Sequence, residues 1–320
     1  MALWTPDRIN TALWLDAADP NTRVMVGDDL AELEDKSGGN HTAVSASGHR
    51  ATIASGEING LDVTRFDGTN AFMDVLDSAD LAGESLTLVM VIKDPASLQA
   101  IYAGVICKGI HNGDGWELGY NSGYEEAFLS GPASVEYNGR LYTSILCVEC
   151  RPGTPNEIEI FRNGVSVATA THSGSLSSSY GVQISNRRHN TDRRFRGDIG
   201  EISVLDHHST LIRQKIEGYL AHKWGLAASL PAEHPYKDSA PIVLGLFDGT
   251  ITDKDGNPAE RRITVLDTTG QCVATDTSDP VTGAYSITVP AESPYTLVFD
   301  GEPDRNAQVF ANVIPGESPA

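Results

Sequence analysis

Short apolar runs broken by turn residues cover most of this chain, at the period of two that marks half-buried strands. Leu13-Trp-Leu-Asp16, Leu61–Gly68 and Phe72–Leu76 read as short strands. Ser85-Leu-Thr-Leu-Val-Met-Val-Ile92 is nearly continuous and predicts a central strand buried on both faces. Trp116-Glu-Leu-Gly-Tyr120 and Glu157-Ile-Glu-Ile-Phe161 alternate cleanly, and Asn163-Gly164 supplies a two-residue hairpin turn into Val165–Ala168. Leu141–Cys150, Val182–Ile184 and Asp198–Leu205 continue the series.

The pattern changes once. Ile212, Ile216, Tyr219, Leu220 and Trp224 share one face at helical spacing, with Ser209 or Thr210 as N-cap and Gly225 as a stop. Gly218 inside this helix implies close packing, across a sheet edge on this reading. The Pro-, Ala- and Ser-rich stretch 228–242 then joins two domains, 1–237 and 242–320, with 238–241 as the linker proper. Beyond it, Ile242–Phe247, Arg262–Leu266, Gln271–Thr275, Tyr285–Val289 and Tyr295–Phe299 predict a small second β-sandwich, and the tail from Ile314 reads as loose.

Composition narrows the partners. Forty-three Asp and Glu against 23 Lys and Arg give a formal net charge of -20, so no nucleic-acid partner is expected. No apolar run is long enough to insert into a membrane, and Met1–Asp7 lacks the features of a secretory signal. Release by lysis, by a dedicated export machine or as part of a particle is the corresponding expectation. Cys147 and Cys150 have metal-like spacing, but on one strand they point to opposite faces, so they read as buried thiols.

Trp14–Ala17, Asp35-Lys-Ser-Gly38, Asn59–Gly68, Phe195–Ile202 and Ile216–Leu226 stand in an order that resembles a laminin-G-like, concanavalin A-like family of bacterial surface and bacteriophage virion proteins. Leu33 departs from it, since an aromatic residue commonly stands before the Asp-Lys-Ser-Gly turn there. Gly249–Pro258 and Thr282–Ile287 resemble transthyretin-like or carboxypeptidase regulatory-like sandwiches, modules that usually serve as spacers or attachment domains. The resemblance implies an all-β fold: a concanavalin A-like (laminin-G-like) jelly-roll sandwich with one C-terminal helix, plus a second small β-sandwich of transthyretin-like or immunoglobulin-like form.

Five arginines and a histidine crowd into Arg187, Arg188, His189, Arg193, Arg194 and Arg196, which are expected on an exposed loop at a sandwich edge. Guanidinium forks bind carboxylates and sulfates in pairs, so the segment fits either acidic glycans or neighbouring carboxylates of the protein itself. Tyr120 and Tyr124 offer aromatic faces to a sugar, whereas Trp116 reads as core. Asp253–Asn257 and the set Asp67, Asn70 and Asp74 offer oxygen ligands to calcium, against the plainer reading as turns. The His207-His208 pair reads as a loop pair rather than a metal site. Neither the Glu-x-Asp-x-x-Glu run of a laminarinase-type glycosidase nor a Gly-x-Ser-x-Gly, His-Glu-x-x-His or phosphate-loop motif occurs. The expectation is a non-enzymatic carbohydrate-binding component of a phage or phage-like particle, in a tail fibre, tail tip or head spike, without a catalytic residue or required cofactor. Its partners would be a host surface polysaccharide, other virion proteins and a second copy of the chain. A decoration protein without a ligand is the alternative, and a polysaccharide-degrading enzyme a third.

Overall fold

The computed structural model describes residues 4–94, 103–109, 115–120, 126–130, 135–138, 142–153, 156–172, 175–188, 193–290, 294–301, 308–313 and 315–317. They divide into two compact units, one spanning Thr5–Ala240 and the other Pro241 onward together with Trp4. Among the described residues no helix is long and apolar enough to cross a membrane.

The first unit is an all-β sandwich with one helix. Its strands are β1 (Leu13–Asp16), β2 (Arg23–Val26), β3 (Asp29–Leu33), β4 (Ala43–Val44), β5 (Ala51–Ile58), β6 (Leu61–Asp67), β7 (Met73–Val75), β8 (Leu86–Lys93), β9 (Gly104–Gly109), β10 (Gly115–Tyr120), β11 (Glu126–Ser130), β12 (Val135–Asn138), β13 (Thr143–Arg151), β14 (Asn156–Arg162), β15 (Val165–His172), β16 (Val182–Ile184) and β17 (Arg196–Leu205), with helix α1 (Thr210–Lys223) after them. The back layer runs β15, β14, β13, β8, β17, and β17 pairs on its far side with β1 and β6. The front layer runs β12, β11, β10, β9, β16, β7, β4, β3, β2. Strand β5 pairs with both β6 and β3 and joins the layers along one edge.

Alternation decides what lies between the layers. Leu88, Met90 and Ile92 of β8, Leu146 and Val148 of β13, and Leu13 and Leu15 of β1 meet Ile106, Leu118, Ile184, Met73 and Leu33 from the front. Leu33 thus fills a core position although it is not aromatic. Val89 and Val91, one residue out of phase, are equally buried on the face that α1 covers. Cys150 points into the sandwich and Cys147 away from it; both are buried and unbridged.

Helix α1 is capped by the Ser209 hydroxyl, which accepts from Ile212 N, and ends at Gly225 with φ +69°. Gly218 packs on the ring of Tyr236, whose Cβ lies 2.4 Å from where a Gly218 Cβ would stand. The close approach is therefore to the segment after the helix and not across a sheet edge. Gly200 sits at the bulge of β17, which lets Ile199 and Ile202 both face the core. A Cβ on Gly200 would come within 2.7 Å of the Trp224 ring. Gly200→Ala is therefore expected to destabilise the unit by about 1–3 kcal/mol through overpacking. A urea titration followed by tryptophan fluorescence checks this, and an unshifted midpoint would refute it.

The motifs that carried the resemblance meet above β1 and β17. Register sets Asp16 opposite Glu201. Trp14 Nε1 donates to Glu201 Oε1 (2.6 Å), Trp224 Nε1 donates to Glu201 Oε2 (2.8 Å), and Lys223 Nζ bridges Glu201 (2.7 Å) and Asp16 (2.8 Å). Lys36 binds Asp16 and Asp19 and lies 4.5 Å from the centre of the Trp14 ring. Asp35 accepts from the backbone N–H groups of Trp14, Ser37 and His41, which fixes the turn that delivers Lys36.

The second unit is a small sandwich of β18 (Leu244–Thr250), β19 (Arg262–Leu266), β20 (Cys272–Thr277), β21 (Ala284–Pro290), β22 (Tyr295–Phe299), β23 (Gln308–Val313) and β24 (Gly316–Glu317). One sheet is ordered β21, β18, β24 and the other β20, β19, β22, β23, around Phe247, Ile263, Val265, Ile287, Val289, Tyr295 and Leu297. The tail expected to be loose from Ile314 instead includes a paired strand, with Gly316 and Glu317 opposite Leu246 and Gly245.

Candidate functional site: an arginine segment laid on the front layer

Cross-strand register draws one row of residues over the outer face of the front layer: Val24, Glu32, Val44, Asp74, Gln183, Cys107 and Glu117, each directly opposite the next. At the β2 end the row is open, with Val24 and Val44 exposed. At the β10 end it is covered, because Asn186 and Arg187, which follow β16, lie over Cys107 and Glu117. The fit is tight: a Cβ on Gly104 of β9 would meet the Asn186 carbonyl oxygen at 2.4 Å. Asn186 Nδ2 donates to Gln183 Oε1 (3.2 Å), whose own Nε2 donates to Asp74 Oδ1 (2.7 Å).

This covering makes the arginines unequal. Arg187 is buried, with Nε 2.9 Å from Glu117 Oε1. Burial pushes the Glu117 carboxyl up to about 7, against the opposing pull of Arg187 and Arg193. Arg194 is also buried, with its guanidinium 4.5 Å from the centre of the Phe72 ring. Desolvation lowers its pKa, while Asp67 and Asp74 act the other way. Its Nε and Nη1 meet no hydrogen-bond acceptor. Arg188, half-buried, stands 4.8 Å from the Tyr180 ring centre and donates through Nη2 to Gly181 O (2.6 Å), while its Nε meets no acceptor. Arg193 is half-buried and Arg196 exposed, opposite Asp67.

The expectation of a uniformly exposed arginine loop is thus corrected for Arg187 and Arg194, which the fold takes in. Tyr120 is corrected as a sugar platform: its side chain is fully buried and stacks parallel to Phe195, with ring centres 6.1 Å apart. Position 120 shares the inward phase of Trp116 and Leu118, and all three belong to the core. His189 and Tyr124 lie outside the described residues.

Of the carboxylates considered for calcium, Asp67 and Asp253 are engaged by their own turns and Asp74 by Gln183. Asp67 accepts from the backbone N–H groups of Thr69, Asn70 and Ala71 and from the Thr69 hydroxyl, and is held down at about 2, against a contrary push from burial. Asp253 accepts from Asp255 N, Asn257 N and Asn257 Nδ2. Among the described residues, no three His, Cys, Asp or Glu side chains gather as metal ligands would. Glu117, Phe72 and Tyr180 were not singled out from sequence. The alternation around Trp116 does place Glu117 on the outer face, but nothing local to it announces burial.

No protein-family profile matches the chain. No curated protein sequence matches it either. Among solved structures, the binding domain of Paraclostridial Mosquitocidal Protein 1 is similar to it with a TM-score of 0.51 and 9% identity, over 95% of this chain and 76% of that one. The binding domain of botulinum neurotoxin DC, solved in complex with SialylT, aligns over 94% of this chain and 77% of that one, with a TM-score of 0.48 and 12% identity. Domain 4 of the arabinanase AbnA from Geobacillus stearothermophilus, solved with arabinotriose, aligns over 64% of this chain and 96% of that one, at 0.44 and 13%. At such identity the first of these shows a shared all-β architecture and nothing finer.

Proposed function

We propose that this chain is a non-enzymatic carbohydrate-binding module that takes an acidic glycan on the front layer beside Arg188 and Arg194. The observation that carries the reading is the state of the Arg194 guanidinium. It is backed by Phe72 and desolvated, yet two of its N–H groups have no acceptor. A buried donor without a partner is costly; a carboxylate or hydroxyl oxygen from outside, admitted as the covering side chains yield, would relieve that cost. Arg188 on Tyr180 repeats the arrangement with a further unmet donor. Planar guanidinium groups held against rings lose little freedom on binding, so they suit oxygen-rich ligands. The shared architecture with a toxin's binding domain is compatible with a binding role. Placement on a phage tail fibre or head spike, with host polysaccharide as the partner, rests on the motif resemblance. Many copies would turn a weak site into firm adhesion.

Wild type is expected to bind sialyllactose more tightly than lactose in isothermal titration. Arg188→Ala and Arg194→Met should each weaken the acidic sugar by roughly 10- to 100-fold, the value of about 1.5–3 kcal/mol for a charge-assisted hydrogen bond. Equal binding by wild type and both variants, or no retention of any acidic glycan on an array, would refute the reading. A decoration role without a ligand is favoured by one observation, the internal Arg187–Glu117 pair, and would show as array silence with intact particle assembly.

A further inference from the structure

The core of the second unit stops short of one end of its sandwich, and the inner faces of both sheets continue past it. In β21, Tyr285 has the same phase as the core residues Ile287 and Val289; in β22, Phe299 has that of Tyr295 and Leu297. Tyr285 and Phe299 are both half-buried and pack against that core at its margin, with one side of each ring turned to the outside. A cleft of about 490 Å³ remains, lined by Tyr285, Phe299 and Phe310 and by the polar residues Asp300, Gln308 and Arg261. That volume falls in the range of small-molecule sites, about 300–1,000 Å³.

The rings are fixed. Tyr285 and Phe299 meet edge to face with centres 5.7 Å apart, and Phe299 meets Phe310 in the same way at 5.7 Å. Gly249, paired with Tyr285 across β18 and β21, allows the phenol to lie over the backbone, since a Cβ there would stand 3.1 Å from the ring. Phe310 is 52% exposed at the mouth. Among the described residues that line the cleft, Asp253 and Asp300 balance Lys254 and Arg261. Asp253 is engaged in its turn and Lys254 pairs with Asp255, which leaves the exposed Asp300 and Gln308 for a ligand.

We infer that this cleft is a second binding site, for an uncharged saccharide whose ring stacks on Phe310 and Tyr285 and whose hydroxyls meet Asp300 and Gln308. A pyranose presents one C–H face and a rim of hydroxyls, the complement of a ring floor with one acceptor and one amide beside it. The described lining residues offer an acidic sugar no net positive charge. The site is independent of the first unit's arginines, so either can fail without the other.

The full chain is titrated with maltotriose, cellotriose and mannotriose, by calorimetry and by tyrosine fluorescence. At least one should bind. Phe310→Ala should weaken it about tenfold, Phe310→Tyr should retain it, and Arg194→Met should leave it unchanged. Retention by Phe310→Tyr separates lost stacking from a lost fold. The inference is overturned if none of the three binds at millimolar concentration, or if Phe310→Ala binds like wild type. It is also overturned if wild type sediments as a dimer that Phe310→Ala dissolves, which would make the cleft a contact between copies.

Discussion

Replacing Glu201 by alanine is expected to lower the stability of the first unit by about 3–5 kcal/mol, the cost of removing one partner from a buried, hydrogen-bonded charge cluster. Glu201 is 1% exposed and holds two indole N–H groups and one ammonium, from Trp14, Trp224 and Lys223. Burial pushes its pKa up, and Asp16 adds to that, while Lys223 and the hydrogen bond from Trp224 draw it back. Without the carboxylate both indoles lose their acceptor. Lys223 keeps the Tyr219 hydroxyl and, as its one remaining carboxylate, Asp16, which already serves Lys36. Three separate stretches of chain meet at this one side chain, so the loss should appear as a lower urea midpoint for the whole unit. Glu201→Gln keeps oxygen for one indole and should cost less than Glu201→Ala. Trp14 and Trp224 report the transition by fluorescence. A loss below about 1 kcal/mol would mean that the cluster is arranged around Glu201 without depending on it.

That cluster was legible in sequence as a set of short motifs, but its purpose was not. Trp14-Leu-Asp16, Asp35-Lys36 and His222-Lys223-Trp224 are local patterns, whereas the contact between them is set by β1–β17 register and the docking of α1. Strand β8, the Asn163-Gly164 hairpin and the helix were readable because period, turn residues and caps agree there. The segment Arg23–Ile58 was harder. Its strands β2 to β5 include Ala51-Thr-Ile-Ala-Ser-Gly-Glu-Ile58, where Gly56 at φ +69° breaks the alternation that would announce a strand. The last long strand, Gln308–Val313, was hidden although Asp300-Gly301 and Pro315-Gly316 flank it, because Gln-Val-Phe-Ala-Asn-Val does not alternate cleanly.

The arginine segment shows a different limit. Its charge made exposure the natural expectation, and the expectation fails wherever a long side chain can lay its stem and guanidinium against a ring or a carboxylate: Arg194 on Phe72, Arg187 on Glu117. Those partners lie on β7's approach and on β10, far away in sequence, so composition alone could not reveal them. The cleft of the second unit was hidden for the opposite reason. Tyr285 and Phe299 sit in ordinary core phase, and only the tertiary arrangement shows that they form the margin of the core and also line a cleft.

Glu117 should impose a pH dependence of the opposite sense to ordinary acid unfolding. In the unfolded chain its carboxyl titrates near 4.5, and in the folded protein near 7. Below about 4.5 both states are protonated and the group contributes nothing. Between the two values the folded state keeps a proton that the unfolded state has lost, so stability falls as pH rises. The fall is about 3 kcal/mol over this interval, at 1.36 kcal/mol per pH unit, and is complete above about 7. Glu117→Gln removes the titration. Relative to wild type, the variant should gain about 3 kcal/mol between about pH 4.5 and 7, then run parallel to it. Glu149 and Glu201, both raised by burial, titrate in wild type and variant alike and cancel in the difference. Asp67, held at about 2, gives up its stabilisation only as pH falls from about 4 toward 2, outside this window. Paired urea titrations at about pH 5, 6, 7 and 8 measure the difference, and curves that stay parallel throughout would contradict it. The same proton bears on the proposed ligand. With Glu117 neutral, Arg187 and Arg193 lose the negative charge that faces them, and the front layer becomes a better host for an anion. Affinity for sialyllactose should therefore rise in wild type as pH drops through 7, and stay level across that range in Glu117→Gln.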